Sequence, residues 1–268
     1  MQVIATNRRF HHSFDIDAQV YFDAGNIIDG TEKNAANTLI IGLKEFSLWT
    51  KMLGLYLISP TSLAAAAVNA KNPGTFDIAW INTPTHANTG VTGNGTTQYG
   101  RLGVIPSVDM TLGDTHASQY YRTNTQANII GNLNGGSTQR ILFQNRQTAD
   151  NMSTDHYDTT VGKGRITTAN ADARGLGIST RISHTDLRTF LDNVQFGSTA
   201  ITDASGDSLP TVEFYTMAYN NAGSPALFSD GELCFNSVGT GLTSADVANL
   251  TALVQTYQTN VIAGGRQV

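Results

Sequence analysis

Residues 116–161 read HASQYYRTNTQANIIGNLNGGSTQRILFQNRQTADNMSTDHYDTTV. Four short runs within them, at 116–122, 128–133, 139–145 and 156–161, carry apolar or β-branched side chains. Asn, Gly, Ser and Asp stand between the runs, and these residues close tight turns. The pattern continues outward, with runs at 103–108 before this stretch and at 175–181, 186–191, 211–219 and 232–238 after it. Many short strands at such spacing predict an antiparallel sandwich or barrel. No helical pattern lies between the strands, which excludes a parallel βαβ sheet.

Further out, the chain changes character at both ends. Phe14, Ile16, Ala18 and Val20 alternate with polar residues, which predicts a half-buried strand. Asp29 and Thr31 offer a helix start, and Ala36, Leu39, Ile40, Leu43 and Phe46 then recur at helical spacing, predicting a helix over 31–46. Strands are expected at 51–58 and 76–81, and Asn94-Gly95 marks a tight turn. At the far end, Thr243-Ser-Ala-Asp246 resembles a capping box with Asp in place of Glu. Val247, Leu250, Leu253, Val254, Tyr257 and Val261 follow on one face, so a helix is expected over 243–260, closed by Gly264-Gly265. Residues 1–13, with Arg8, Arg9 and Phe10, read as an assembly arm, free or ordered against a neighbouring copy. Residues 14–268 then read as one domain.

The chain has 268 residues, 40% of them hydrophobic and only 14% charged, against an average near ~25% charged. Thr, Asn, Ser and Gln occupy the polar positions, alongside 26 Gly. The net charge of −5 makes a poor partner for nucleic acid. No apolar window is long enough to span a membrane, and the opening residues lack the apolar core of a secretory leader. One cysteine, Cys234, cannot form an internal disulfide and reads as a small buried hydrophobe. With 11 Phe, 9 Tyr and 2 Trp, the chain can build a core.

Two segments carry a family likeness. ELCFNSVGTGLTSADVANLTALVQTYQ (232–258) resembles the end of concanavalin A-like, LamG-like jelly-roll domains, and THANTGVTGNGTTQYGRLGVIPS (85–107) resembles their early hairpin. The pattern is more similar still to bacteriophage virion proteins that carry this domain. It comprises Leu48-Trp49-Thr50-Lys51-Met52, the turn Asn69 to Pro73, the hairpin Asn94 to Tyr99, Tyr121-Arg122-Thr123 and the terminal Gly265 to Val268. The resemblance implies a mainly β, antiparallel jelly-roll β-sandwich with one helix near the N-terminus and one C-terminal helix. It further implies a non-enzymatic virion structural protein (capsid decoration, collar, tail or fibre) that assembles with itself and with other virion proteins. The alternative is a carbohydrate-binding adhesin for host-surface glycan.

Candidate chemistry is sparse. A glycosidase needs two carboxylates flanking the scissile bond, whereas Glu32, Glu45, Glu213 and Glu232 are far apart in sequence. Asp15 and Asp17 read as the solvated face of a first strand. His11 and His12, or Asp155, His156 and Asp158, contain metal-ligating types, but neighbours on a strand point to opposite faces. The loop from Asp203 to Asp207 has the oxygen donors and turn glycine of a calcium site, or of a plain turn. No other cofactor is expected. There is no Gly-x-Ser-x-Gly nucleophile elbow and no phosphate loop. Tyr219, Asn220 and Asn221 combine an aromatic with planar amides, the residue types that bind sugars, and are the expected carbohydrate site.

Overall fold

The short runs pair into two sheets. The computed structural model describes residues 14–134, 139–197 and 207–268. The expected arm residues Arg8, Arg9 and Phe10, with His11, His12 and Asp203, lie outside the described residues. The first sheet runs, edge to edge, Val194–Phe196, Asp186–Leu191, Gly175–Ser183, Thr115–Tyr121, Glu232–Gly239, Gly90–Thr92 and Thr85–Ala87. Met52–Tyr56 also pairs with Glu232–Gly239. The second sheet runs Arg165–Ala169, Asn151–His156, Arg140–Gln147, Ile129–Leu133, Tyr215–Thr216, Tyr99–Arg101 and Ala79–Ile81. A hairpin of Ala218–Asn221 and Ser224–Ala226 joins it, lying parallel to Ile129–Leu133. The other pairings are antiparallel, as the turn-rich sequence implies.

Between the sheets lie Ala117, Tyr121, Leu233 and Val238 from the first and Ile130, Ile141, Phe143 and Met152 from the second. The first sheet buries its other face too. Leu176, Ile178 and Phe235 pack against Leu39 and Leu43 of the helix Gly30–Glu45 and against Val247, Leu250 and Val254 of the helix Ser244–Asn260. Thr115–Tyr121 is therefore buried along its whole length although it reads THASQYY. Most of its polar groups are satisfied internally, as burial requires, while Gln119 Oε1 and the Tyr121 hydroxyl are left without a partner among the described residues. His116 Nδ1 donates to the Thr240 carbonyl at 2.6 Å, while its Nε2 lies 3.0 Å from Ser237 Oγ. Gln119 Nε2 donates to the Asn128 carbonyl and to Asn145 Oδ1.

The helix ends follow their caps. Asp29 accepts from the Glu32 amide, and Thr243 with Asp246 forms the expected capping box. The terminal helix stops at Asn260 rather than at the glycines. Gly264 and Gly265 instead adopt φ of 88° and 69°, which turns the chain back over the helix end.

Four local expectations need correction. Residues 16–24 form a helix, Ile16–Ala24, because Asp15 caps it by accepting from the Asp17 amide. Ile16 and Val20, expected inside, are exposed, while Ala18, Tyr21 and Phe22 are buried. Asp15 and Asp17 both bind Lys44, at 2.5 and 2.6 Å, instead of lying on a strand face. The run at 103–108 is no strand, since Pro106 opens the short helix Pro106–Asp109. The strand expected over 156–161 ends at His156, and the one expected over 211–219 breaks at Met217, whose φ is 63°. Leu63–Ala67 is a further short helix that the sequence pattern did not signal. No helix among the described residues is long and apolar enough to cross a membrane.

The attached hairpin turns through Ala222 and Gly223, with φ of 50° and 96°. Two positive φ values between paired Asn221 and Ser224 are the mark of a type I′ turn, which favours Asn or Gly over Ala. Ala222→Gly should raise stability by about 0.5–1 kcal/mol, read as a higher urea midpoint.

Candidate functional site

Strand alternation sets the site. Trp80 and Thr216 point toward the core, and Thr216 Oγ1 accepts from Asn236 Nδ2 at 2.8 Å. Their neighbours Ile81, Tyr99, Arg101 and Tyr215 therefore emerge on the outer face of the second sheet. There Tyr99 and Tyr215 stack with ring centroids 4.8 Å apart, and Phe228 meets Tyr99 edge-on at 6.0 Å. Ala218 and Ile81 complete this separate apolar cluster. Burial raises the Tyr215 phenol, so it stays protonated as a donor.

Beside the rings lies a groove of about 530 Å³ lined by Arg101, Gly103, Thr211, Glu213, Tyr215, Asn220 and Gly223, among others. Glu213 is fixed at both oxygens. Arg101 Nε donates to Oε1 at 2.7 Å, and the Gly103 amide donates to Oε2 at 2.9 Å. The bond to Glu213 also raises the Arg101 guanidinium, whose side chain is half exposed while that of Glu213 is 14% exposed. The result is a neutral, preorganised set of planar hydrogen-bonding edges next to aromatic surface. Such a set suits a ligand dense in hydroxyls.

The three expected sugar residues do not converge. Asn220 lines the groove, but its amide is committed to the fold: Nδ2 donates to the Glu213 carbonyl at 3.0 Å, and Oδ1 accepts from the Gly223 amide at 2.7 Å. It positions the groove wall. Tyr219 is half-buried opposite Gly131, and its phenol acts electrostatically on the Arg140 guanidinium. Asn221 is exposed opposite Leu133. Arg101, Glu213 and Tyr99 were missed as groove residues. Tyr99 and Arg101 do follow the Asn94-Gly95 turn in alternation, which was the available signal.

Asp207 Oδ1 accepts from Lys163 Nζ at 2.9 Å, and the same ammonium donates to Asp158 at 2.7 Å. Burial pushes the Asp158 carboxyl up, but Lys163 and Thr160 outweigh this and bring it down to about 2. Asp155 faces Arg140 and Arg165, while His156 points inward to Thr115 and Ser179. Among the described residues, no three His, Cys, Asp or Glu side chains form a group able to hold a metal ion. Cys234 is buried, its S–H donates to the Thr89 carbonyl, and burial raises its thiol to about 12.

A smaller cavity of about 270 Å³ opens at the start of the helix Gly30–Glu45, beside Glu32, Thr61 and Val261. The Glu32 carboxylate is buried, with its oxygens accepting from Ser59 and Thr61. Burial raises its carboxyl, and Arg266 acts in the opposite sense. Arg266 is itself fully buried. It donates to the Ile58 and Leu57 carbonyls at 2.7 and 3.2 Å and lies over the Tyr257 ring at 5.4 Å. These contacts tie the chain's last residues to the helix start and to 57–61. They serve the fold.

No family model matches the chain, and neither does any curated protein. Solved structures with a similar fold include one titled for cell entry of botulinum neurotoxin type C through interaction with two ganglioside molecules. That match has a TM-score of 0.53 at 8% identity, over 79% of this chain and 53% of that one. The binding domain of botulinum neurotoxin serotype D/C matches with a TM-score of 0.52 at 7% identity, over 78% and 53% of the two chains. Trypanosoma rangeli sialidase matches with a TM-score of 0.50 at 9% identity, over 82% and 38%. This chain thus spans about half the length of the neurotoxin chains and less of the sialidase. At such identity the likeness bears on fold alone: the chain is a mainly β, two-sheet antiparallel sandwich of jelly-roll type.

Proposed function

We propose that this chain is a non-enzymatic glycan-binding module displayed on a bacteriophage particle, and that the Arg101–Glu213 groove takes the sugar. The groove carries this reading, because it holds a carboxylate fixed at both oxygens beside paired tyrosines. One similar structure is titled for interaction with two ganglioside molecules, which supports the same ligand class. Among the described residues Glu213 is the only carboxylate lining the groove, and glycoside hydrolysis in its common forms uses two, so the reading is binding without turnover. The particle setting rests on the residue-pattern resemblance. Repetition of the module around a symmetric assembly would multiply weak single-groove contacts.

The test is titration of the ¹⁵N-labelled chain with lactose and with a ganglioside oligosaccharide. The Gly103 and Gly223 amides should shift. Glu213→Gln should weaken binding by about tenfold or more, since a hydrogen bond to a charged group contributes ~1.5–3 kcal/mol. Unmoved groove amides at millimolar sugar would remove the reading.

A further inference from the structure

Asp155 sits on the outer face of the second sheet with its side chain fully buried. Arg165 already saturates it, with Nε donating to Oδ1 at 2.6 Å and a terminal nitrogen donating to Oδ2 at 2.8 Å. A second guanidinium, Arg140, stands against the same carboxylate. Its Nε is 2.9 Å from Oδ2 but makes no hydrogen bond, and that nitrogen is buried without a partner. Arg140 is only 14% exposed, and Nε is its one guanidinium nitrogen left buried without a hydrogen-bond partner among the described residues. A buried guanidinium N–H left unmet is costly. Burial lowers its pKa, Asp155 works against that, and Arg165 adds to it.

The sheet register places other groups beside it. Tyr219, Gly131, Leu142, Asp155 and Arg165 form one cross-strand row, and Asn221, Leu133 and Arg140 form another on the same face. Asn221 thus lies two strands across from Arg140, with Leu133 between them, and the Tyr219 phenol acts electrostatically on the Arg140 guanidinium. Their neighbour Asn220 lines the groove. Two strand spacings, ~10 Å, separate Arg140 from the strand bearing Asn220, about the span of two sugar rings.

Two guanidiniums around one carboxylate leave one positive charge, which matches a monoanion. A planar fork matches the two oxygens of a carboxylate. The net charge of −5 opposes a polyanion such as nucleic acid. We infer that Arg140, with the Tyr219 phenol acting on it, anchors the carboxylate of an acidic sugar whose neighbouring unit occupies the groove. The inference rests on the groove reading for that neighbouring unit, and the two can fail separately.

The test follows the Arg140 Nε–H cross-peak of the wild-type chain during titration with sodium glucuronate and with glucose. Glucuronate should shift it and glucose should not. Sialyllactose should bind more tightly than lactose, and Arg140→Met should cut that preference by about tenfold. Salt should erode the sialyllactose preference and spare lactose. An Arg140 signal unmoved by glucuronate, or a preference that survives Arg140→Met, overturns the carboxylate site even if lactose shifts Gly103 and Gly223. A moving Arg140 signal with silent groove amides keeps the anion site and removes the groove. If Arg140→Met fails to fold, Arg140→Lys, which keeps the charge and loses the fork, and the wild-type spectrum decide the matter.

Discussion

Unfolding free energy should fall by about 3 kcal/mol between pH 6.5 and pH 4 through His116 alone. Burial pulls this imidazole from 6.5 down to about 4, and the bond to the Thr240 carbonyl offsets that only in part. The unfolded chain then binds a proton across that window and the folded chain does not. Stability is full above pH 6.5 and drains as pH falls toward 4, at ~1.4 kcal/mol per pH unit. His156 is displaced in the same direction, by burial first and by Arg181 and His116 after it. Glu32 and Asp192 are raised by burial, so near their own ranges they gain stability as pH falls and soften the loss. Urea midpoints at pH 7 and pH 4 measure the net effect. His116→Gln, which keeps a donor for Thr240, should flatten the slope, and an unchanged slope would put its origin elsewhere.

Arg266→Met should destabilise the fold by about 3–5 kcal/mol, the range for breaking a buried charge network from one side. The change strips the Ile58 carbonyl of the donor at 2.7 Å and removes the cation stacked on Tyr257. It also removes the positive charge of Arg266 that acts on the buried Glu32. The Leu57 carbonyl keeps a partner in the Tyr257 hydroxyl, which limits the damage. Arg266→Lys should recover part of the loss by preserving charge. Equilibrium urea unfolding separates the outcomes, and a loss below ~1 kcal/mol for Met would mean that the clamp is not a stabilising element.

The sandwich was legible because its evidence is local. Turn residues mark hairpins wherever they occur, and Thr243 with Asp246 forms the same box in the structure as on paper. Local evidence also misled. Phe14, Ile16, Ala18 and Val20 mimic a strand, and only the Asp15 cap reveals a helix. The strand expected over 116–122 forms, but nothing in its polar sequence signals that it is fully buried, because its partners Thr240, Asn128 and Asn145 lie elsewhere in the chain. The groove was out of reach for the same reason, since Arg101 and Glu213 meet across 112 positions. Tyr219, Asn220 and Asn221 lie on the hairpin whose Asn220 lines the groove, but which amide stays available depends on the turn that Asn220 closes.

The placement of Glu232–Gly239 governs how the chain can acquire its structure during synthesis. Late in sequence, this strand lies in the middle of its sheet, between Thr115–Tyr121 and Met52–Tyr56. Until it leaves the ribosome, both of those partners wait with an open edge, a template for pairing with another nascent chain. Vectorial, piece-by-piece folding is therefore closed to the first sheet. The groove's own sheet needs nothing from that strand for its pairing, so the two layers become competent at different moments.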